Sequence, residues 1–345
     1  MFGAGYWGTK ILREYARLGV SQPDFNLEYV VDSSTLALER IKGEIGTKTG
    51  FESDYRAVLD TKVDAVHIAL PNSLHYEVAR DALEAGKHVL IEKPMALNSR
   101  DAFKLVSLAE ESGLVLQVGH IFRFNDAVRM VRRLIGEGKI GRAFYLKLDW
   151  AATLTPPRDT DIVFDLAPHP VDALNFILDE WPSSVEATGG SYLRKTEHAE
   201  EMAFINLEFP DRILASIYVS WIQHGVKDRM IRVVGEKGTI VCDALNQTIM
   251  ISNEQGPTNV SRSQFPSSGP RNGADAGAKS TDAPNNTIRD MELNFIESTR
   301  GRVPQYNSGF VGARTVSCLE AIVAAMRKND LSLRLPLTPV GQGPR

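Results

Sequence analysis

The glycine pattern at the start of the chain constrains the fold more than any other feature. The segment Gly3-Ala4-Gly5-Tyr6-Trp7-Gly8 fits the G-x-G-x-x-G turn. In that turn, glycines permit a tight bend and let a pyrophosphate approach the backbone N–H groups at a helix N-terminus. Helical sequence follows, and the next predicted strand ends at Asp32, where a carboxylate that binds ribose is expected. The alternative is a glycine-rich turn with a capping aspartate. We favour a dinucleotide site formed by Gly3, Gly5, Tyr6, Trp7, Gly8 and Asp32.

The first third of the chain alternates between short apolar runs and segments of helical period. This alternation is typical of repeated βα units around a parallel sheet. It predicts an α/β fold that begins with a Rossmann-type, doubly wound parallel sheet. The predicted strands are 27–31, 63–69, 87–91 and 115–118, and the predicted helices lie near 35–45, 73–85 and 99–112.

The first strand of this sheet is nearly missing. Only Met1 and Phe2 precede the glycine turn, whereas an ordinary strand has about 5 residues. In a doubly wound sheet this strand is central. Either the chain is truncated relative to the functional protein, or the sheet tolerates a defect at its middle. We expect weakened folding or weakened dinucleotide binding in either case.

The pattern changes after about residue 143 to longer alternating runs. Residues 203–209 and 213–221 flank a Pro210-Asp211 turn and predict a hairpin, which residues 229–234 and 238–241 extend. These runs predict an α+β domain with a large, open, mostly antiparallel sheet. We therefore divide the chain into residues 1–120 and 121–345, with a mobile loop at about 252–286, where Gly, Pro, Ser, Asn and Asp predominate.

Charge and composition exclude several classes of function. The 39 Lys and Arg against 43 Asp and Glu give a net charge of −4, which offers no basic field for nucleic acid or a membrane surface. The two cysteines, Cys242 and Cys318, supply neither a disulfide framework nor a zinc site. No apolar run reaches the roughly 18 to 20 residues of a membrane span. We expect a cytoplasmic protein that acts on a small molecule and uses no metal.

Polar residues follow two of the predicted parallel strands, at the edge where open α/β sheets bind ligands. Pro71-Asn72-Ser73-Leu74-His75 follows one strand, and Glu92-Lys93-Pro94 follows another. The alternatives are a helix cap at Asn72, a solvated ion pair between Glu92 and Lys93, and a simple turn at Pro94.

A third group of polar residues lies in the second half of the chain. Asp165 and His169 stand four residues apart, next to prolines that suit the first turn of a helix. That spacing predicts an acid/base pair on one side of the helix. The alternative is a capping aspartate with a surface histidine. Further candidates for substrate contacts are Arg123, Trp150, Tyr218, Trp221 and His224.

Together these motifs resemble the Gfo/Idh/MocA family of nicotinamide-dependent oxidoreductases over nearly the whole chain. The resemblance rests on the glycine turn, the Pro71 to His75 run, Glu92-Lys93-Pro94, Gly119-His120 with Arg123, and the Asp165…His169 pair. It implies a Rossmann domain and a C-terminal α/β domain whose open sheet forms a homodimer or homotetramer. Ala167 stands where many members have glycine.

The resemblance also implies roles for individual residues. Lys93 and His169 would be the catalytic residues, with Asp165 as the supporting acid. The coenzyme would additionally contact Pro71, Asn72, His75, Glu92 and Lys93, and the substrate would contact Lys93, Arg123, Asp165 and His169. NAD is expected rather than NADP, because the Asp32 carboxylate would repel a 2′-phosphate.

The activity predicted from these residues is NAD-dependent oxidation of a secondary hydroxyl on a sugar, polyol or nucleotide-linked sugar, or reduction of the ketone. Two alternatives remain open: an NAD-dependent glycoside hydrolase of the same fold, and a non-catalytic NAD-binding regulatory protein. The complete set of Lys93, Asp165 and His169 disfavours the regulatory protein.

Overall fold

The computed structural model describes residues 1–329 apart from residues 23, 46–47, 156–158, 195–198, 226 and 267–284. Its first part alternates helices and strands in the order α1 (Tyr6–Ser21), β1 (Tyr29–Val31), α2 (Thr35–Ile45), β2 (Gly50–Glu52), α3 (Arg56–Leu59), β3 (Ala65–Ile68), α4 (Asn72–Glu84), β4 (His88–Ile91), α5 (Ser99–Glu111) and β5 (Leu116–Val118). The elements β2 and α3, which the sequence pattern did not predict, have only three and four residues.

All strand pairs in this part are parallel, with β2 on β1 and with β4 between β3 and β5. Phe2 bridges Val31 of β1 and Ile68 of β3 and so joins the two sets of strands. This arrangement confirms the doubly wound sheet and its nearly missing first strand.

The short first strand is nevertheless bonded on both sides. The Phe2 N–H donates to the His67 carbonyl at 2.8 Å, and the Phe2 carbonyl accepts from the Ala69 N–H at 2.8 Å. On the other side, the Gly3 N–H donates to the Val31 carbonyl at 2.7 Å. Two residues thus anchor the glycine turn between β1 and β3, and the Phe2 side chain is fully buried.

The second part is built around one large sheet. Its elements are a 3₁₀ helix (Ile121–Phe124), α6 (Asp126–Gly136), β6 (Ala143–Ala151), α7 (Ile162–Leu166), α8 (Pro168–Leu178), β7 (Ser184–Gly190), β8 (Met202–Phe209), β9 (Ile213–Ser220), β10 (Asp228–Gly235), β11 (Thr239–Asp243), β12 (Thr248–Asn253), β13 (Gly256–Asn259), a 3₁₀ helix (Arg262–Gln264), α9 (Thr287–Thr299) and α10 (Gly309–Asn329). The strand order is β13-β12-β11-β10-β6-β9-β8-β7. Among the strands that the structure describes in this sheet, the β6–β9 pair alone is parallel, which confirms the predicted mostly antiparallel sheet.

One face of this sheet packs on α6, α7 and α8, around Trp150 and Trp221. The other face carries aromatic and apolar side chains that remain partly exposed, among them Phe204, which stacks on Tyr218.

The structure differs in part from the mobile loop predicted at 252–286. The residues of β13 form an edge strand because their backbone pairs with β12, and residues 267–284 lie outside the described residues.

The last two helices return to the first part of the chain. The helix α9 packs on α1, and α10 packs on α5 and β7. By length and apolar composition, α10 is the one described helix that would suffice to cross a membrane. It instead contributes Ala313 and Val316 to the core of the parallel sheet, and Leu319 and Ile322 to the core of the large sheet. The division of the chain at residue 120 remains a proposal. The helices α9 and α10 belong to the second part by sequence, but they also pack on the first part.

A glutamate lies in the interior of this junction. Glu292 on α9 is completely buried, and neither of its carboxylate oxygens has a hydrogen-bond partner among the described residues. Burial, reinforced by the charges of Glu14 and Glu92, raises the pKa of Glu292 well above its ordinary value. The folded protein therefore favours the protonated form of this side chain more than the unfolded chain does.

This burial predicts a pH dependence of stability. The native state keeps the Glu292 proton to a higher pH than the unfolded chain, so stability is lost as the pH rises above the ordinary glutamate pKa of about 4.3. Glutamine has no proton to lose, so the free energy of unfolding of Glu292→Gln should rise relative to that of the unsubstituted protein as the pH rises. The difference should change by up to about 1.4 kcal/mol per pH unit. Urea unfolding at pH 5, 6.5 and 8 measures it, with the exposed Glu110→Gln as the control. An E292Q advantage that does not change with pH would contradict the burial of a neutral acid.

Candidate active site

The predicted site residues of the first part meet at one edge of the parallel sheet. The glycine turn follows Phe2, Asp32 follows β1, Pro71 follows β3, and Lys93 is the second residue after β4. These strands are parallel, so their carboxyl ends share an edge, which is where open α/β sheets bind ligands.

The three glycines of the turn have three different environments. Gly3 has φ +98°, and a Cβ atom there would lie 2.2 Å from the Ala69 carbonyl oxygen. A Cβ on Gly8 would lie 2.2 Å from the Gly3 carbonyl oxygen, so this position needs glycine for helix–strand packing. A Cβ on Gly5 would meet open space, and no side chain caps α1 at this residue. The uncapped helix N-terminus and the free volume above Gly5 fit a pyrophosphate group.

Asp32 lies beside the turn. Its carboxylate accepts hydrogen bonds from the backbone N–H of Ala4 at 2.7 Å and of Ser34 at 2.8 Å. Arg40 on α2 donates to the Ala4 carbonyl at 3.0 Å. The remaining two residues of the turn differ in exposure, since Tyr6 is 80% exposed whereas Trp7 is partly buried.

The other predicted coenzyme contacts lie in or next to the loops that follow β3 and β4. Pro71 and Asn72 form the start of α4. His75 is buried, and its ring nitrogens contact the carbonyls of Pro94 at 2.7 Å and Leu70 at 2.9 Å, which ties the loop after β4 to the loop after β3. Glu92 is also buried, and its carboxylate fills the space above Gly119.

Lys93 lies where the two parts of the chain meet. Its Nζ donates to the backbone carbonyl of Asp165 at 2.6 Å and to the Asp165 Oδ1 at 3.1 Å. The other carboxylate oxygen, Oδ2, accepts from the Trp221 Nε1–H at 2.8 Å. Because an ammonium has three donors, one N–H of Lys93 remains available for a ligand.

His169 stands next to this ion pair. It lies in the first turn of α8 and is half-buried, with its ring edge-on to Phe122 at 5.2 Å between centroids. Burial lowers the pKa of His169 well below its ordinary value, and the positive charges of Lys93 and Arg229 lower it further. A neutral imidazole can accept a proton, which an imidazolium cannot.

No hydrogen bond joins Asp165 to His169. The two residues belong to different helices, α7 and α8, which meet at Ala167. Ala167 has ordinary helical angles, φ −67° and ψ −20°, so alanine fits there without strain. The Asp165 carboxylate is thereby directed to Lys93 and Trp221.

Two further groups lie close to His169 without a role in the sequence analysis. His120 follows β5 and is 2% exposed, and neither of its ring nitrogens has a hydrogen-bond partner among the described residues. Asp172, three residues after His169, has its Oδ2 4.0 Å from the His120 Nδ1. The sequence analysis named Gly119-His120 for the family resemblance but gave His120 no role, although its position after a parallel strand marks it as a candidate for the site.

Most of the predicted substrate contacts lie in the core, on the open face of the large sheet or in hydrogen bonds with other protein groups. The Arg123 guanidinium donates to Asp172 at 2.7 Å, to Asn175 at 2.6 Å and to the Tyr306 carbonyl at 3.1 Å. Trp150 is in the core. His224 is exposed, and Tyr218 lies on the open face of the large sheet. Among the residues described, no group of three or more His, Cys, Asp or Glu side chains has the arrangement of a metal site.

Family models match both parts of the chain. Residues 1–120 match the oxidoreductase family with an NAD-binding Rossmann fold, and residues 128–241 match the GFO/IDH/MocA C-terminal domain. The chain belongs to the GFO/IDH/MocA oxidoreductase family. The resemblance inferred from the motifs is thereby confirmed, and the glycine turn belongs to an NAD-binding domain.

Individual members of the family show how far the similarity extends. UDP-N-acetylglucosamine 3-dehydrogenase from Acidithiobacillus ferrooxidans is 30% identical over 73% of this chain and 75% of its own. Its solved structure superposes with a TM-score of 0.77 over 95% of this chain and 96% of that one, at 23% identity. Levoglucosan dehydrogenase, solved with NADH and levoglucosan, superposes with a TM-score of 0.82 over 95% and 96% at 20% identity, which shows a shared fold. Among the curated relatives, the chain aligns with as little as 51% of one, 1,5-anhydro-D-fructose reductase from Ensifer adhaerens, at 32% identity over 46% of this chain.

The different environments of Gly5 and Gly8 predict opposite outcomes for the same substitution. Gly8→Ala should destabilise folding, because the new Cβ would overlap the Gly3 carbonyl. Gly5→Ala should leave the melting temperature nearly unchanged but weaken NAD binding, because its Cβ would occupy the volume next to the helix N-terminus. Thermal denaturation and NAD titration separate the two effects. Gly5→Ala with unchanged NAD affinity would show that the pyrophosphate binds elsewhere.

Proposed function

We propose that this protein is an NAD-dependent dehydrogenase that oxidises a secondary hydroxyl of a sugar, polyol or nucleotide-linked sugar, or reduces the corresponding ketone. The observation that carries the proposal is the pairing of two groups at the coenzyme edge. The Lys93 ammonium is fixed by Asp165 with one donor left, and next to it His169 is held neutral by burial and by the charge of Lys93. Oxidation of an alcohol needs both a proton acceptor and a stabiliser of negative charge on oxygen.

In the proposed mechanism, His169 accepts the hydroxyl proton. The free N–H of Lys93 donates to the same oxygen and stabilises the developing negative charge. Asp165 acts as a positioning residue, since it holds Lys93 through two oxygens and is itself oriented by Trp221. The bound nicotinamide supplies the hydride acceptor. In the reductive direction the same residues return the proton to the ketone oxygen.

The positions of the site residues at the carboxyl edge of the parallel sheet also suggest which of them bind coenzyme and which bind substrate. We propose that Gly3, Gly5, Gly8 and Asp32 bind NAD, and that Lys93 and His169 contact the substrate. Arg123 is assigned to structure, because its three hydrogen bonds are made to protein groups. The relatives named as acting on nucleotide-linked sugars and inositols set the substrate classes to test first.

Substitution of the proposed base should reduce catalysis without affecting NAD binding. His169→Ala should lower kcat for oxidation by about 10²- to 10⁴-fold, the usual contribution of a general base. Because the pKa of His169 lies well below 6.5, kcat/KM should already be on its plateau at pH 6.5 and fall only at lower pH. Lys93→Met should be at least as damaging and should also raise KM. Steady-state NADH absorbance from pH 5 to 9 measures these effects.

The matched control is His224→Ala, an exposed histidine in the same part of the chain. It should retain the activity and pH profile of the unsubstituted enzyme. Near-normal turnover in His169→Ala would move the base to another residue, with Lys93 the first to examine.

The coenzyme preference is proposed to rest on Asp32. Its carboxylate should bind the adenosine ribose hydroxyls and repel a 2′-phosphate, which favours NAD over NADP. Asp32→Ser should narrow the ratio of kcat/KM between the two coenzymes, and the exposed Asp60→Ser should leave it unchanged. Equal use of NAD and NADP by the unsubstituted enzyme would overturn this assignment.

The open face of the large sheet is proposed to form a homodimer or homotetramer. Phe204 and Leu214 are half exposed there, beside Tyr218, and an apolar face of this kind favours a second copy. Phe204→Glu should yield a monomer in light scattering, whereas Val20→Glu, at an isolated exposed position on α1, should not. A monomeric unsubstituted protein would contradict this assembly.

A further inference from the structure

A strongly basic cavity lies away from the parallel-sheet edge. Its volume is about 610 Å³, and α6 forms one wall. The residues of α6 at positions i, i+3 and i+4 lie on one face of a helix. Here those positions are Arg129, Arg132 and Arg133, and all three line the cavity.

The remaining walls add a fourth guanidinium and two aromatic rings. The guanidinium is that of Arg123, and the rings are those of Phe176 and Tyr306. The Arg123 and Arg132 guanidiniums lie 5.4 and 4.9 Å from the centre of the Phe176 ring. Contact with an aromatic face restricts the rotation of a guanidinium, so these groups are partly preorganised.

The positive charges of this cavity are incompletely compensated. Arg123 bonds to Asp172, and Arg133 bonds to Glu137 at 2.6 Å. Among the described residues, the carboxylate paired with Arg132 is that of Asp179, at 3.4 Å, whose side chain is 80% exposed. The Arg132 Nη1 also donates to the Phe176 carbonyl at 2.7 Å. No Asp or Glu is among the described residues that line the cavity.

Arg129 is the least satisfied of the four. It has no carboxylate partner within the described part of the chain, and its Nη1 is buried without a hydrogen bond there. Its guanidinium lies 5.2 Å from the centre of the Tyr306 ring. A guanidinium without a carboxylate partner is available for charge-assisted hydrogen bonds, and an anion in the cavity that Arg129 lines would supply the acceptor.

We propose that this cavity binds a small polyanion, a phosphate ester or a polycarboxylate, through Arg129 together with Arg132 and Arg133. Guanidinium groups match the oxygens of both anion types with paired hydrogen bonds. The site is separate from the proposed catalytic residues. Phe176 lies seven residues after His169 along α8, which corresponds to about 10 Å along a helix.

The test is calorimetric titration of the protein saturated with NAD, so that the glycine turn is already occupied. Inorganic pyrophosphate and citrate are the two probes. At least one should bind saturably at one site per chain, and Arg129→Gln should weaken that binding by about tenfold or more. Binding of pyrophosphate alone would show that the cavity selects phosphate groups, and binding of citrate alone would show that it selects carboxylates.

The matched control is Arg142→Gln. Arg142 is exposed, has no carboxylate partner among the described residues, and lies 5.1 Å from the centre of the Phe144 ring, much as Arg129 lies near Tyr306. It should leave binding unchanged. If Arg129→Gln fails to fold, the half-exposed Arg133→Gln replaces it with the same expected direction.

Three results would overturn the proposal. The first is that neither probe binds saturably. The second is that Arg129→Gln, or Arg133→Gln in its place, binds the probe as tightly as the unsubstituted protein, and the third is that Arg142→Gln loses as much affinity for the probe as that variant does.

Discussion

The contact of Lys93 with Asp165 is the interaction on which the proposed chemistry depends. It connects the end of β4 to α7 and therefore joins the NAD-binding part of the chain to the large-sheet part. The two side chains are only 16% and 21% exposed, so water screens their attraction less than at a surface. The same ammonium lowers the pKa of His169. One charge thus positions the two parts of the site and, together with burial, keeps the proposed base neutral.

Neighbouring groups restrict this ion pair to one geometry. Trp221 holds the second Asp165 oxygen, and His75 fixes the loop that begins after β4 by bonding the Pro94 carbonyl. The backbone carbonyl of Asp165 takes part in the contact as well, so the position of α7 is fixed together with its side chain. A lysine held in this way loses little freedom when a substrate oxygen takes its third N–H, which favours catalysis by preorganised charge.

The sequence predicted the parallel sheet, the antiparallel hairpin and the strand-end positions of Lys93 and the glycine turn, because local periodicity and strand-end rules determine them. It did not predict β2, whose partner β1 lies on the other side of α2 in the chain. It also did not predict β13, which pairs with the adjacent strand β12 but contains a glycine and a proline that are typical of a turn. The i, i+4 spacing also suggested a direct Asp165–His169 pair. In the structure the Asp165 carboxylate instead bonds to Lys93 and Trp221, partners remote in sequence that residue spacing does not reveal. The environments of Arg123 and His120 likewise depend on α8, which is remote in sequence.

The most direct test of this account is the titration of the His169 ring, followed by NMR of the ¹⁵N-histidine-labelled protein. We expect a pKa well below the ordinary value of about 6.5 in the unsubstituted protein, and a higher value in Lys93→Met, because one of the charges that oppose protonation is removed. A His169 that titrates at or above 6.5, or one whose pKa does not change in Lys93→Met, would contradict the claim that the Lys93 charge keeps the base neutral.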